Sequence, residues 1–173
     1  GRPRRGLAMR AEALCQVVVR RYGYGGCEDA YEDPDYDNLI RVIEHRRGLP
    51  ELLGIIYIDI ARSLGWRIDG LDFPPRLLVR LEFSGQRLIL DPFDGGIERR
   101  PRDLRDLYKA VSGQHVEITP GHYTAMSNRA ILIRSRRNAK VTHLRAENLE
   151  AALDEIQTML LFAPDEAALW REA

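Results

Sequence analysis

An aspartate at the end of an apolar strand is the first candidate for chemistry in this sequence. The stretch "FPPRLLVRLEFSGQRLILDPFDGG", residues 73–96, alternates apolar and polar residues as a β-hairpin does, with a turn at Ser84–Gln86. Asp91 then falls at the end of the return strand, directly before Pro92. A carboxylate in such a position can orient a histidine that activates a nucleophile, as in a catalytic triad. Asp91 is therefore either part of an acyl-transfer site or a structural residue.

A nucleophile and a base for Asp91 would have to come from other segments of the chain. Cys27 lies in a glycine-rich loop, where we expect its thiol to be exposed, and His122 lies outside the predicted helices. A site made of Cys27, His122 and Asp91 needs three segments to converge without a local motif. Cys15 falls inside a predicted helix and is interpreted as a small packed hydrophobe. We expect instead that Asp91 is structural, either capping a turn or pairing with Arg76 across the hairpin.

The acidic stretch "DPDYDNLIRVIE" spaces its carboxylates much as a calcium-binding loop does. Loop positions one, three, five and twelve hold Asp33, Asp35, Asp37 and Glu44. The position that requires glycine holds Asn38, however, and no helix leads into the loop. We therefore expect an acidic loop in which Asp35 or Asp37 caps the next helix. The histidines lack metal-ligand spacing as well, so the sequence predicts no metal and no cofactor.

A cationic stripe is predicted on a helix over residues 128–144. Its members share one sector of the helix and are Arg129, Arg136, Lys140 and His143. An apolar face lies beside the stripe and comprises Ala130, Ile133, Val141 and Leu144. Such a stripe either docks an acidic peptide or a phosphate backbone, or it is a solvated outer face, which is the commoner case. Aromatic residues do not interleave with the charges, and this argues against nucleic acid.

Helices and a short sheet must position these residues. The first predicted helix, residues 7–22, has one apolar stripe, made of Leu7, Ala11, Leu14 and Val18. A second helix at about 37–47 carries apolar Leu39, Ile40 and Ile43. The third, "PELLGIIYIDIARSLG", runs from Pro50 to Gly65 and is apolar around its circumference, which indicates a buried central helix. A helix near 101–111, an irregular segment at 114–126 and a helical C-terminal part follow.

Composition narrows the classes of function. Lys+Arg and Asp+Glu are equal at 26 each in 173 residues, which argues against a surface that gathers nucleic acid or anionic membrane through its overall charge. The longest apolar run, "LLGIIYI", is too short to span a bilayer. Two cysteines do not make a disulfide framework, so we expect a reducing, cytoplasmic location. The abrupt opening "GRPRRGLAMR" suggests a fragment of a longer protein.

Six stretches in the same order resemble the SirB-type bacterial proteins. They are "VIEHRRGLP", "YIDIARSLGW", "GLDFPPRLLVRLE", "LILDPFDGG", "SNRAILIR" and "LLFAPDEAALWREA". That family has a transglutaminase-like core, similar in fold to papain-type proteases, followed by tetratricopeptide-like helices. The resemblance implies an α+β fold with a buried central helix and a small antiparallel sheet over residues 1–126. It also implies a tetratricopeptide-like helical segment over residues 127–173 that packs on this core.

The resemblance also implies where catalytic residues would stand. Active members place a Cys at the start of the central helix, where the helix N-terminus lowers the thiol pKa, then a His and an Asp on successive strands. Here these positions hold Pro50, Arg76 and Asp91, and SirB-type relatives commonly have Gly-His where this chain has Pro75-Arg76. The sequence therefore predicts a catalytically inactive domain that binds another protein. The alternatives are a hydrolase or transferase with Cys27 as relocated nucleophile, and a basic-stripe binder of acidic partners.

Overall fold

The molecule combines helices with one small sheet. The structure, a computed structural model, describes residues 2–173, with side chains from residue 4 onward. The helices are α1 (Arg2–Cys15), α2 (Leu39–His45), α3 (Pro50–Ser63), α4 (Pro101–Ser112), α5 (Asn128–Arg145), α6 (Leu149–Phe162) and α7 (Ala167–Glu172). The strands are β1 (Arg67–Leu71), β2 (Leu78–Phe83), β3 (Gln86–Asp91), β4 (Ile97–Glu98) and β5 (Ala125–Met126). The predicted α+β class is confirmed.

The sheet is built around the predicted hairpin. Its strand order in the described chain is β4–β3–β2–β1–β5, and neighbouring strands are antiparallel. The two-residue turn Ser84–Gly85 joins β2 to β3, with φ angles of 49° and 77°. Positive φ at both residues is the type I′ geometry, which matches the twist of a hairpin. The predicted turn was one residue too long, because Gln86 pairs with Phe83 in the sheet.

Helix α3 is the buried centre of the fold, as the sequence predicts. Pro50 occupies its first turn, where a missing N–H is tolerated, and Gly65 follows its end with a φ of 70°. Leu53 and Tyr57 are almost completely buried. A Cβ atom at Gly54 would lie 2.4 Å from Leu77 Cδ2, so glycine allows the helix to approach the chain just before β2 very closely. The start of α3 is thereby held beside the hairpin.

Helix α1 packs its predicted apolar stripe into the same core as α3. The four stripe residues are all buried: Leu7, Ala11, Leu14 and Val18. The helix begins earlier than predicted, at Arg2, and after Cys15 it continues as a wider π-type turn over Gln16–Arg21. Helix α1 and α3 therefore bury their apolar surfaces against the sheet together.

Helix α2 is shorter than predicted, and its apolar side faces outward. Leu39, Ile40 and Ile43 are 40%, 69% and 47% exposed, whereas Val42 is completely buried. A seven-residue helix with one buried position contributes little to the core. Its N-cap is Asn38, whose side chain accepts hydrogen bonds from the amides of Ile40 and Arg41. The expectation that Asp35 or Asp37 caps this helix was wrong.

The C-terminal part consists of α5, α6 and α7, as the helical periodicity predicts. A small apolar cluster joins these three helices and contains Ile133, Ile156, Met159, Leu160 and Leu169. Helix α5 also contributes Ile131 to the main core. The segment predicted to be irregular contains a 3₁₀ turn at Pro120–Tyr123 and the short strand β5, which pairs with β1. None of the described helices is both long enough and apolar enough to cross a membrane.

Candidate functional site

Three elements bring the triad-like positions to one region of the molecule. Pro50 begins α3, Arg76 lies just before β2, and Asp91 is the last residue of β3. Pro50 is buried and has no side chain capable of nucleophilic attack. The Asp91 side chain is completely buried, at the end of the strand where the sequence places it. The hairpin thus delivers the carboxylate, while the other two positions carry groups of different chemistry.

The Asp91 carboxylate is held by two arginines and a turn amide. Arg99 contacts Asp91 Oδ2 through Nε at 2.9 Å and through Nη2 at 2.8 Å. Arg76 Nε lies 3.3 Å from the same oxygen, which is the ion pair that the sequence suggested. The amide of Asp94 donates a hydrogen bond to Oδ1 at 3.3 Å. A carboxylate bound in this way stabilises the turn after β3. Its Oδ2 already contacts two guanidinium groups, where the histidine of a triad would have to bind.

Arg76, which stands where the resemblance places a general base, cannot act as one. A guanidinium stays protonated throughout the physiological range and has donors only. Its Cζ lies 4.9 Å from the centre of the Phe93 ring, a cation–π contact that fixes the side chain. Arg76 Nε is buried without a hydrogen-bond partner in the described part of the chain, despite its proximity to Asp91. The site therefore contains a positive donor whose hydrogen-bonding capacity is not fully used.

A second buried carboxylate follows Pro50 directly. Glu51 is 1% exposed and lies in the first turn of α3, where the helix dipole favours a negative charge. Arg134 of α5 donates from Nε to Glu51 Oε1 at 2.8 Å and from Nη1 to Asp72 Oδ1 at 2.6 Å. This bridge ties the start of the central helix to α5 and to the chain beyond β1. It stabilises the region in which a nucleophile would stand.

A cleft of about 450 Å³ opens beside Arg76. It is lined by Tyr31, Pro75, Phe93, Leu107 and Val111, and by the carboxylate residue Glu28. Burial raises the pKa of the Tyr31 hydroxyl, and the negative charge of Glu51 raises this pKa further. Arg76 lowers this pKa, so the charges of both buried ion-pair clusters, around Glu51 and around Asp91, act on the Tyr31 phenol. The arrangement is a mostly apolar cleft with a guanidinium and a phenol, a composition suited to binding.

Cys27, His122 and Asp91 each make separate contacts in the structure. Cys27 precedes the 3₁₀ turn Glu28–Tyr31 and lies close to Tyr36, whose pKa is raised chiefly by the electrostatic influence of Cys27. His122 Nδ1 accepts a hydrogen bond from the amide of Thr119 at 3.1 Å. The His122 ring packs edge-on against Phe73 and Tyr108, with centroids 6.3 and 5.4 Å away. In the described chain, the hydrogen bonds of the Asp91 carboxylate involve neither Cys27 nor His122, and a relay through these residues stays a prediction.

The four carboxylates of the calcium-like stretch do not converge on one point but bind protein groups. Asp33 accepts from the amide of Asp35, and Glu44 accepts from Arg41. Asp37 is buried, where it accepts a hydrogen bond from Ser135 and pairs with Arg136 at 3.5 Å. Among the described residues, no cluster of three or more metal-ligand side chains occurs. The calcium alternative therefore loses its geometric basis, because Asp37 is bound to α5.

The predicted cationic stripe is largely neutralised inside the molecule. Arg136 pairs with Glu155 at 3.3 Å as well as with Asp37. Lys140 pairs with Glu172 at 2.6 Å, and His143 lies 3.9 Å from Glu155. Of the four predicted residues, Arg129 is exposed at the surface. Val141 and Leu144, expected on an apolar face, are exposed as well. Three of the four stripe residues thus face carboxylates of α6, α7 and the acidic loop, which reduces the free charge of the stripe, and its role as a binding face stays a prediction.

Sequence reasoning missed three charged residues of this region: Glu51, Arg99 and Arg134. Glu51 is one of the few strongly polar residues on the apolar helix α3, and this exception was the available signal for a buried ion pair. The Gly95-Gly96 turn separates Arg99 from Asp91 in the sequence. The pairing of Asp91 in β3 with Ile97 in β4 returns the chain, so that Arg99 lies beside Asp91. Two-residue strands such as β4 carry too little periodicity to be recognised.

Comparison with known proteins assigns the fold to a family. The family model described as transglutaminase-like superfamily matches residues 2–137. A UPF0162 protein of Pseudomonas aeruginosa is 31% identical over 163 residues, covering 91% of this chain and 58% of the relative. UPF0162 proteins of Vibrio cholerae and Xylella fastidiosa are 30% and 29% identical, covering 91% and 95% of this chain and 58% and 59% of the relatives. The chain thus spans less than two thirds of these relatives, and no solved structure matches it.

Proposed function

The chain belongs to the transglutaminase-like superfamily, and from this premise we propose that its domain has lost acyl-transfer chemistry and works by binding another protein. The observation that carries the proposal is the replacement of the general base by Arg76, whose guanidinium contacts the buried carboxylate of Asp91. A triad needs a neutral imidazole at that point to accept a proton. Pro50 at the start of α3 removes the thiol that such a base would activate.

The surroundings of Asp91 support a structural role for it. Arg99 binds the carboxylate more closely than Arg76 does, at 2.8 Å against 3.3 Å. Substituting a histidine for Arg76 alone would therefore leave Asp91 engaged by Arg99. Cys27 and His122, the groups that could replace the lost nucleophile and base, make contacts of their own. We expect the cleft beside Arg76 to be the contact face, because it combines apolar walls with donors.

The catalytic part of the proposal is tested by assaying the purified chain. Transamidation is measured as incorporation of a labelled primary amine into a glutamine peptide, and peptidase activity as cleavage of a quenched peptide library. We expect wild type and Cys27→Ser to be indistinguishable from buffer. Activity that Cys27→Ser abolishes and Cys15→Ser retains would overturn the proposal and support the relocated nucleophile. Cys15 is a matched control because it is also a half-buried free thiol.

The binding part is tested by affinity capture with the immobilised chain. A specific partner should be retained by wild type and by Arg129→Gln, because Arg129 lies on the exposed surface of α5. Val111→Asp, which puts a charge into the wall of the cleft, should release it. A partner released by Arg129→Gln and kept by Val111→Asp would instead support binding through the basic face of α5. Retention that depends on neither residue would exclude both surfaces.

A further inference from the structure

The cleft beside Arg76 has the chemistry of a carboxylate site. We propose that it binds the C-terminal carboxylate of a partner protein whose last residue is apolar. This inference rests on the proposed binding function and names the ligand group that the same cleft takes. It follows from the state of the Arg76 guanidinium, from the walls of the cleft and from the way the cleft opens.

Arg76 has unused hydrogen-bonding capacity where a ligand can reach it. Its buried Nε faces Asp91 Oδ2 at 3.3 Å, and its side chain keeps 16% exposure. Because Nε is buried, the terminal nitrogens are the polar atoms that remain for a ligand in the cleft that Arg76 lines. Two such nitrogens form a planar fork whose geometry matches the two oxygens of a carboxylate. A carboxylate in the cleft would satisfy donors that the protein leaves free.

The charge of Arg76 is only partly compensated by Asp91. The oxygen that faces Arg76 is also bound by Arg99, which makes the two shorter contacts, at 2.8 and 2.9 Å. Arg76 is therefore the weaker partner of a shared carboxylate. A desolvated guanidinium with an incomplete counter-charge favours an incoming anion. Phe93 below the guanidinium keeps it in place without consuming a donor.

The remaining walls select the group that accompanies the carboxylate. Pro75, Leu107 and Val111 offer an apolar surface, and Tyr31 adds a phenol. The volume of about 450 Å³ falls within the range of roughly 300–1,000 Å³ that small ligands occupy. An apolar side chain next to a carboxylate fits this combination. A phosphate or a sugar would leave the apolar walls without a partner.

The cleft is open to solvent, which favours the end of a chain over an enclosed small molecule. Two of its lining residues are exposed, Val111 by 65% and Tyr31 by 36%. Glu28 is also exposed there, so water screens its charge from a bound carboxylate. The preceding residues of a peptide can leave the cleft toward solvent. The site would thus hold a terminal carboxylate with fixed donors, which is a known way in which proteins recognise the end of a chain.

The test uses an acetylated five-residue glycine–serine peptide that ends in leucine. It is titrated into the full chain in two forms, with a free carboxylate and as the C-terminal amide, and binding is followed by NMR of the arginine Nε–H signals. We expect the free acid to bind and the amide to bind at least about tenfold more weakly, because a hydrogen bond to a charged carboxylate is stronger than one to a neutral amide. A free-acid peptide ending in serine should also bind more weakly, because it leaves the apolar walls unfilled.

Variants distinguish a change in the binding site from a loss of the fold. Arg76→Gln should abolish the preference for the free acid, and Val111→Asp should weaken the free acid at least about tenfold by repulsion. Val111 is exposed, so its variant keeps the fold even if Arg76→Gln does not. Val141→Asp is the matched control, an exposed valine outside the cleft, and should bind as wild type does. Equal binding of acid and amide, or no binding at 1 mM, would overturn this inference. Such a result would not decide whether the domain is catalytically inactive, because the activity assay tests that separately.

Discussion

Buried carboxylates paired with arginines are a recurring feature of the described chain. Asp91 is paired with Arg99 and Arg76. The other two such carboxylates are Glu51, which binds Arg134, and Asp37, which binds Arg136. Removing one partner of a buried pair is strongly destabilising because it leaves a charge without compensation. These pairs consequently fix how the segments that carry them sit against one another.

Asp37 should make the stability of the protein depend on pH. Burial raises the pKa of Asp37 from 3.8 to about 7, with Glu51 and Glu155 adding to the shift, while Ser135 and Arg136 oppose it. The folded state therefore holds a proton on Asp37 that the unfolded state releases above about pH 4. The stability gained by holding this proton is fully present below about pH 4, and it is lost as the pH rises through about 7. Because one pKa unit is worth about 1.4 kcal/mol, we expect a loss on the order of a few kcal/mol.

The measurement is urea unfolding at several pH values between about 4 and 8. Asp37→Asn removes the ionisation but keeps an acceptor for Ser135, so its free energy of unfolding should lack this part of the pH dependence. Asp35→Asn is the matched control, since Asp35 is an exposed carboxylate of the same loop that makes only a long contact, of 3.9 Å, with Arg41. Equal pH profiles for wild type and Asp37→Asn would contradict the raised pKa.

At the scale of elements, periodicity predicted most helices and the central hairpin. The stripe of α1 and the apolar circumference of α3 depend on local spacing, so the sequence alone revealed them. The exposed Leu39 and Ile43 of α2 show the limit of this reasoning. The spacing of apolar residues predicts a helix, but it does not specify whether that face of the helix packs against a core. The partners of Arg136 could not be predicted either. Contacts between segments about a hundred residues apart leave no local pattern.

The type I′ turn of the hairpin should depend on glycine at its second position. Gly85 has a φ of 77°, and a Cβ there would meet nothing within 4 Å, so substitution tests the backbone alone. We expect Gly85→Ala to lower the free energy of unfolding by about 1 kcal/mol, since the left-handed region costs an L-residue roughly 1–2 kcal/mol. Gly121→Ala is the control, as its Cβ would lie 3.7 Å from Thr119 without a positive φ. Urea unfolding measures both, and equal effects would contradict the turn assignment.

At the scale of the whole molecule, α5 belongs to two packing units at once. Ile131 lies in the main core with α1 and α3, whereas Ile133 lies in the small cluster with α6 and α7. Arg134 and Arg136 bind carboxylates of the core region. The family match extends to residue 137, into this helix. A division of the chain at 126/127 remains a prediction, and the packing favours placing the cooperative boundary after Arg145.

Hydrogen exchange in increasing urea distinguishes these two boundaries. The α6–α7 unit buries few apolar side chains, too few to stabilise it alone, so it should open at a lower free energy than the core. The amides of α5 should exchange together with those of α3, because opening α5 breaks buried ion pairs. Ile133→Ala should lower the opening free energy of α6 and leave that of α3 almost unchanged. Ile131→Ala, the matched change two residues away, should lower both by about 2 kcal/mol or more. If the α5 amides instead exchanged with those of α6, the cooperative unit would begin at residue 127.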